Sequence, residues 1–131
     1  MKRIISTSKA PAALGPYSQA IEINGTLYIS GQVPVNPETG KIVGGGITEQ
    51  TEQVLKNIGA ILHEAGYDFN DVVKTTCFLS DIGNFKAMNE AYSKFYTENK
   101  PARAAFAVKD LPLGALIEIE TIAAKIKIAY L

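Results

Sequence analysis

The chain is poor in the residues from which most protein-borne catalytic machinery is built: its 131 residues include one cysteine, one histidine and two arginines. A lone Cys77 cannot close an internal disulfide. With one histidine and one cysteine there is no His/Cys metal cluster, and neither a Ser-His-acid triad nor a Cys-His pair can be built around a poised base. His63 also falls off the apolar stripe of its segment and is expected to face solvent. Acidic and basic residues balance at 13 each, without runs of like charge. The phosphate-neutralising stripe of a nucleic-acid binder is therefore missing, and nucleic acid is not the expected partner. No apolar run approaches the about 20 residues of a membrane span, and the stretch from Met1 to Ser6 has no signal-peptide apolar region. The expectation is a soluble, cytoplasmic protein with one domain over residues 1–131, large enough to bury roughly two thirds of its unfolded surface.

What is present reads as alternating strand and helix signals. Residues 17–23 and 27–33 are β-prone and meet at Asn24-Gly25, a hairpin signal. A three-residue loop ending on Gly25 is the favoured register, which would place Ile21, Leu27 and Ile29 on one face; a two-residue loop would instead pair Glu22 with Leu27. Pro34, Pro37, Gly40 and Gly44-Gly45-Gly46 mark a long loop. The glycine triplet lacks the Lys-Ser/Thr of a phosphate loop and reads as a flexible entry to a helix. That helix is expected over 48–65, with Thr48 as N-cap, Val54, Leu55, Ile58, Ile61 and Leu62 on its apolar face and Gly66 at C′. A strand over 72–79 follows, with Cys77 buried and inert on it. A second helix near 83–98 carries Phe85, Met88, Tyr92, Phe95 and Tyr96.

Strands at 103–108 and 116–129 complete the order β-β-α-β-α-β-β. The last changes phase between Ile117/Ile119 and Ile126/Ile128, which predicts a bulge or bend between Thr121 and Lys125. Two helices with long apolar stripes need a shared surface, so the fold class is α+β, one mixed sheet with both helices on one face. The other face stays open, and apolar groups on it suggest a symmetric oligomer.

Arg103 sits in the apolar stretch Pro101-Ala-Arg-Ala-Ala-Phe-Ala-Val108 and has two readings: a structural arginine paired with an acid, or an anion site that uses its planar fork. Glu118 and Glu120 lie two apart, so on a strand they share a face. With Ile117 and Ile119 turned to the core, that face is the open one. A solvated polar strand is the plainer explanation. Tyr17 and Ser30-Gly31 are the other polar or backbone-permissive positions in apolar strands, and Tyr17 could equally cap an interface.

Four blocks, Gly15-Pro-Tyr-Ser-Gln-Ala20, Ile29-Ser-Gly-Gln-Val-Pro34, Pro101-Ala-Arg103 and Leu111-Pro-Leu-Gly-Ala-Leu-Ile-Glu-Ile-Glu120, together resemble the reactive intermediate deaminase (YjgF/RidA) family in order and spacing. The resemblance implies a chorismate-mutase-like fold and a homotrimer with three clefts between subunits. It also implies 2-iminobutanoate/2-iminopropanoate deaminase activity: hydrolysis of enamines and imines such as 2-aminoacrylate to 2-keto acids and ammonia. Carried over, Arg103 is the anchor for the substrate carboxylate and Glu118 positions or activates water. Tyr17, Ser30 and Gly31 are cleft walls, and Asn89 is the second-helix asparagine near the site. Glu118 is expected in the cleft beside Arg103, with Glu120 farther along the same face. Many members have Cys where this chain has Ala105, so a thiol is not needed for the core chemistry. No metal or cofactor is required, because an imine carbon is already electrophilic and needs a held carboxylate, one placed water and proton transfer. The rival readings are an endoribonuclease and a non-catalytic regulatory trimer that binds small carboxylates.

Overall fold

The structure, a computed structural model, describes residues 1–126. In chain order the elements are β1 (Arg3–Ile5), β2 (Ala20–Ile23), β3 (Thr26–Gln32), β4 (Val35–Asn36), β5 (Lys41–Ile42), α1 (Ile47–Ala65), β6 (Val72–Leu79), α2 (Phe85–Tyr92), β7 (Ala102–Ala107) and β8 (Ile117–Ala124). Six strands form one sheet in the order β1-β2-β3-β8-β6-β7, and β4 pairs with β5 as a small separate hairpin. Only β6 and β7 run parallel, which α2 permits as the crossover between them. The expected mixed sheet is thus present, extended by β1 at one edge and by the β4–β5 hairpin in the long loop.

Both helices cover one sheet face. Val54, Leu55, Ile58, Ile61 and Leu62 of α1 are buried against Leu27, Ile117 and Ile119 of the sheet in one cluster. At about 1.5–3 kcal/mol for each large aliphatic side chain taken from water, this layer is the main source of stability. The cap of α1 differs from expectation. The N-cap is Gly46, whose backbone N–H donates to Glu49 Oε1 at 2.7 Å, so Thr48 lies inside the first turn. Gly66 does stand at C′ with φ 84°. α2 is shorter than the expected 83–98 because after Tyr92 the chain tightens into turns, with Phe95 N–H reaching Tyr92 O. Phe95 and Tyr96 still pack on Phe69.

The β2–β3 hairpin corrects the favoured register. Its loop has two residues, Ile23 pairs with Thr26 and Glu22 with Leu27. Asn24 and Gly25 both take positive φ, 50° and 77°, the primed turn whose twist matches the strands. The register puts Glu22 on the helix side, where Tyr67 Oη donates to it at 2.6 Å and Arg3 Nε at 3.1 Å. A carboxylate so partnered avoids the cost of burial without bonds.

β8 alternates cleanly from buried Ile117 to half-buried Ala124 without the expected bulge. The irregularity sits opposite, where Val73 is an extra residue in β6. Ile126 is exposed, and Ile128 lies outside the described residues.

The register defines two faces. On the helix side, Ile5, Ala20, Ile29, Thr121, Thr75 and Arg103 form one row across all six strands. On the open side a parallel row runs Ile4, Ile21, Tyr28, Ile122, with Ile4 and Tyr28 exposed. No helix among the described residues is long and apolar enough to cross a membrane.

Candidate functional site

Glu118 projects from the open face of β8 beside Phe78 of β6, and Phe78 meets Phe106 edge-on at 5.4 Å. Next to it, β3 bulges: Ile29 pairs with Thr121 and Gln32 with Ile119, so Ser30 and Gly31 together span the position opposite Glu120. The bulge is fixed from β2's approach, where Ser30 N–H donates to Gln19 O at 2.9 Å and Ser30 Oγ to Ser18 O at 2.6 Å. Its consequence is closeness. A Cβ on Gly31 would collide with Glu118 Oε2, so only glycine leaves room for the carboxylate against this backbone.

Tyr17, Ser30, Gly31, Leu113 and Glu118 line a cleft of about 690 Å³. Tyr17 is half exposed at its mouth. Leu113, not anticipated from the sequence, adopts φ 59° within the Pro112–Gly114 turn and is 71% exposed. A branched apolar side chain held in the left-handed region and aimed at solvent is a strained position of the kind found at ligand clamps. Burial, and then the neighbouring Glu120, push the Glu118 carboxyl above the usual carboxylate range. A carboxyl so raised is nearer the poise of a general base at neutral pH than a solvated one.

Arg103 lies elsewhere. It ends the helix-side row on β7, at the sheet edge, as the register partner of Thr75. Its Nη1 donates to Asn89 Oδ1 of α2 at 2.7 Å, and the guanidinium stands 5.5 Å from the Phe85 ring centre and 5.0 Å from that of Tyr92. Among the described residues no carboxylate pairs with it, so the acid-paired structural reading finds no partner here. The guanidinium faces a hollow of about 450 Å³ lined also by Asn89, Tyr92, Ser93, Tyr96 and Lys100.

Within one chain, therefore, the expected adjacency of Arg103 and Glu118 does not occur: they point to opposite faces of the sheet. Strand parity decides this. Thr75 and Arg103 share the helix face, whereas Phe78 and Glu118 share the other. The structure joins Arg103 to Asn89, and separately joins Glu118 to Tyr17, Ser30 and Gly31. Glu120 shares the face of Glu118, as expected, but is exposed and lies outside that cleft.

The remaining candidates lie outside both hollows. Cys77 is fully buried, and burial pushes its thiol up to about 11, which removes thiolate reactivity. Ala105 is its register partner on β7. His63 is exposed on α1 and lines neither hollow. Among the described residues there is no group of three or more His, Cys, Asp or Glu arranged to hold a metal ion.

Residues 7–125 match the family model described as Endoribonuclease L-PSP. The chain is 52% identical over 94% of its length to a human 2-iminobutanoate/2-iminopropanoate deaminase, of which it covers 90%. Among solved structures, a Rid family protein from Yersinia pestis, YyfA, superposes with a TM-score of 0.93 at 49% identity, covering 95% of this chain and all of that one. Escherichia coli TdcF with bound serine superposes with a TM-score of 0.90 at 37% identity, covering 94% and 98% of the two chains.

Proposed function

The chain belongs to the Endoribonuclease L-PSP family, and from that membership we propose that it is a 2-iminobutanoate/2-iminopropanoate deaminase, the activity named for its human relative. The observation that carries the reading is Arg103: a fork with no acidic partner among the described residues, held by Asn89 and open to a hollow. Small imine carboxylates supply the missing anion, and a relative's structure holds serine, a small carboxylate of similar size.

The reaction needs little else. The enamine takes a proton at its terminal carbon and becomes the imine, R–C(=NH)–COO⁻. Arg103 binds the carboxylate through paired hydrogen bonds. Glu118 accepts a proton from a water that attacks the imine carbon, and the resulting aminoalcohol carries one new C–O bond. Return of that proton to nitrogen completes the aminoalcohol; its hydroxyl proton then passes, again through Glu118, to the NH2 group, so that C=O forms as the C–N bond breaks, releasing ammonia and leaving the 2-keto acid. The raised Glu118 carboxyl suits both halves of this transfer.

Since Arg103 and Glu118 face opposite ways in one chain, a complete site requires the Glu118 cleft of one copy to meet Arg103 of the partner subunit. A homotrimer with three such clefts is the arrangement we propose, and the apolar open face accords with burial by further copies. The test is turnover of 2-aminoacrylate released in situ by a pyridoxal-phosphate dehydratase, together with light scattering at micromolar protein. Turnover by a species of three times the chain mass is expected. Carboxylate binding without turnover would favour a regulatory trimer, RNA cleavage alone would favour the ribonuclease of the family's description, and a monomer mass would remove the shared cleft.

A further inference from the structure

Arg103 is flanked by more than its asparagine. We propose that Tyr92, locked by Thr75, is a positioning residue that holds the Arg103 guanidinium in the plane from which it receives the substrate carboxylate; this rests on the deaminase reading.

Thr75 is fully buried at the centre of β6, where a valine would fill nearly the same volume without a hydroxyl to satisfy. Its Oγ1 lies 2.8 Å from Tyr92 Oη, also buried, so each hydroxyl is the other's partner. This pair adds nothing that Val and Phe would not supply for packing alone. What it does is fix the Tyr92 ring. Thr75 is the register neighbour of Arg103, and a ring tied to Thr75 comes to rest 5.0 Å from the guanidinium carbon. Phe85, about two helical turns before Tyr92 on α2, bounds the guanidinium at 5.5 Å. Asn89, on α2 between these two rings, takes one N–H of the fork at 2.7 Å.

A guanidinium at a sheet edge on a flexible stem would sample many orientations, and binding a planar carboxylate would require freezing it. Two rings and an amide acceptor leave it few. The hydrogen bond at the hydroxyl tip of Tyr92 transmits that order from the rigid interior of the sheet, as supports behind a binding group must. The reading separates Tyr92 from Tyr96, which stacks on it at 4.6 Å but whose buried hydroxyl has no hydrogen-bond partner among the described residues.

The test is a double-mutant cycle. Thr75→Val, Tyr92→Phe and Thr75→Ser are each made alone and in the Arg103→Lys background, and KM, kcat and the inhibition constant of the product 2-keto acid are measured alongside thermal melts. Thr75→Val and Tyr92→Phe should raise KM and the keto-acid inhibition constant together by about threefold to tenfold, with kcat nearly unchanged, as loosening a cation–π and hydrogen-bonded clamp requires. Thr75→Ser, which keeps the hydroxyl, should restore both. In Arg103→Lys the same substitutions should have no further effect, because the group they position is gone. A purely structural pair would lower the melting temperature and leave the inhibition constant alone. Equal losses in both backgrounds, or unchanged keto-acid binding in both Thr75→Val and Tyr92→Phe, overturn the proposal while leaving the deaminase reading standing. Wild-type kinetics in Arg103→Lys itself would overturn the anchor and the clamp with it.

Discussion

Replacing Arg103 by lysine is the perturbation that most directly tests how this protein holds a substrate. Lysine keeps the charge, so long-range attraction survives, but one ammonium cannot offer the two parallel N–H groups that match a carboxylate. The net loss is one charge-assisted hydrogen bond, about 1.5–3 kcal/mol. At 1.36 kcal/mol per decade, this is a fall of about ten- to hundredfold in kcat/KM. Stability should change little. The guanidinium is at the surface, its ring contacts with Phe85 and Tyr92 are worth about 0.5–1 kcal/mol each, and the single bond to Asn89 is one that lysine can make. The assay is hydrolysis of 2-aminoacrylate released by a dehydratase, with circular dichroism melts in parallel. Near-wild-type kcat/KM would refute the bidentate anchor. A variant that failed to fold would return Arg103 to a structural role.

Glu118→Gln keeps the side chain's shape but cannot take a proton, so it should abolish most turnover while keeto-acid affinity persists; Glu120→Gln, outside the cleft, should cost far less. Equal small losses in both would mean that the carboxylates are merely solvated. Because the raised Glu118 carboxyl keeps its proton to a higher pH than a solvated one, kcat/KM should fall on acidification at a pH above the ordinary value of about 4.3. Glu120→Gln removes the second cause of the rise and should move that limb to lower pH; a limb unmoved would separate the two groups electrically. Gly31→Ala places a methyl where the Glu118 carboxylate sits, so activity should collapse by about tenfold or more, as for a displaced catalytic group, with melting nearly unchanged because the group pushed aside is the end of a movable side chain. Full activity in Gly31→Ala would show that Glu118 works from another position.

The elements most legible in the sequence are those where local preference and burial agree. The run Val72–Leu79 is β-branched and aromatic and forms β6 over those residues; the apolar spacing of α1 and its terminal Gly66 set that helix within a residue of expectation. Where local and tertiary demands part, the reading fails. In the β2–β3 hairpin, hydrophobic alternation argues for keeping Glu22 off the core side, yet the primed turn at Asn24-Gly25 imposes the opposite register. The conflict is resolved by Tyr67 and Arg3, 45 and 19 residues away, and no local pattern reveals such partners. The cap at Gly46 was missed for a related reason: the bond is made by Glu49 reaching back to a backbone N–H, so a hydroxyl at Thr48 is not needed.

For the candidate site, the sequence marks residues by type but carries no geometry. Arg103 stands out because an arginine in an apolar strand needs a reason, and Glu118 because its odd-numbered neighbours are core. Period-two alternation says which residues of one strand share a face, but it carries no phase between strands; that phase is set by cross-strand register. Arg103 is helix-side because it pairs with Thr75, and Glu118 is on the far side because it pairs with Phe78. Thr75 and Phe78 stand three positions apart on β6, an odd separation, which is enough to send the two charges to opposite sides. The same parity explains why Thr75 and Tyr92 escaped notice: a threonine in a strand and a tyrosine on an apolar helical stripe are ordinary apart, and become a support for Arg103 only when the register lays them side by side. Chemistry that needs an anchor and a carboxylate on one substrate is then tied to assembly by the sheet itself, since no rotamer of either side chain can cross the layer that separates them.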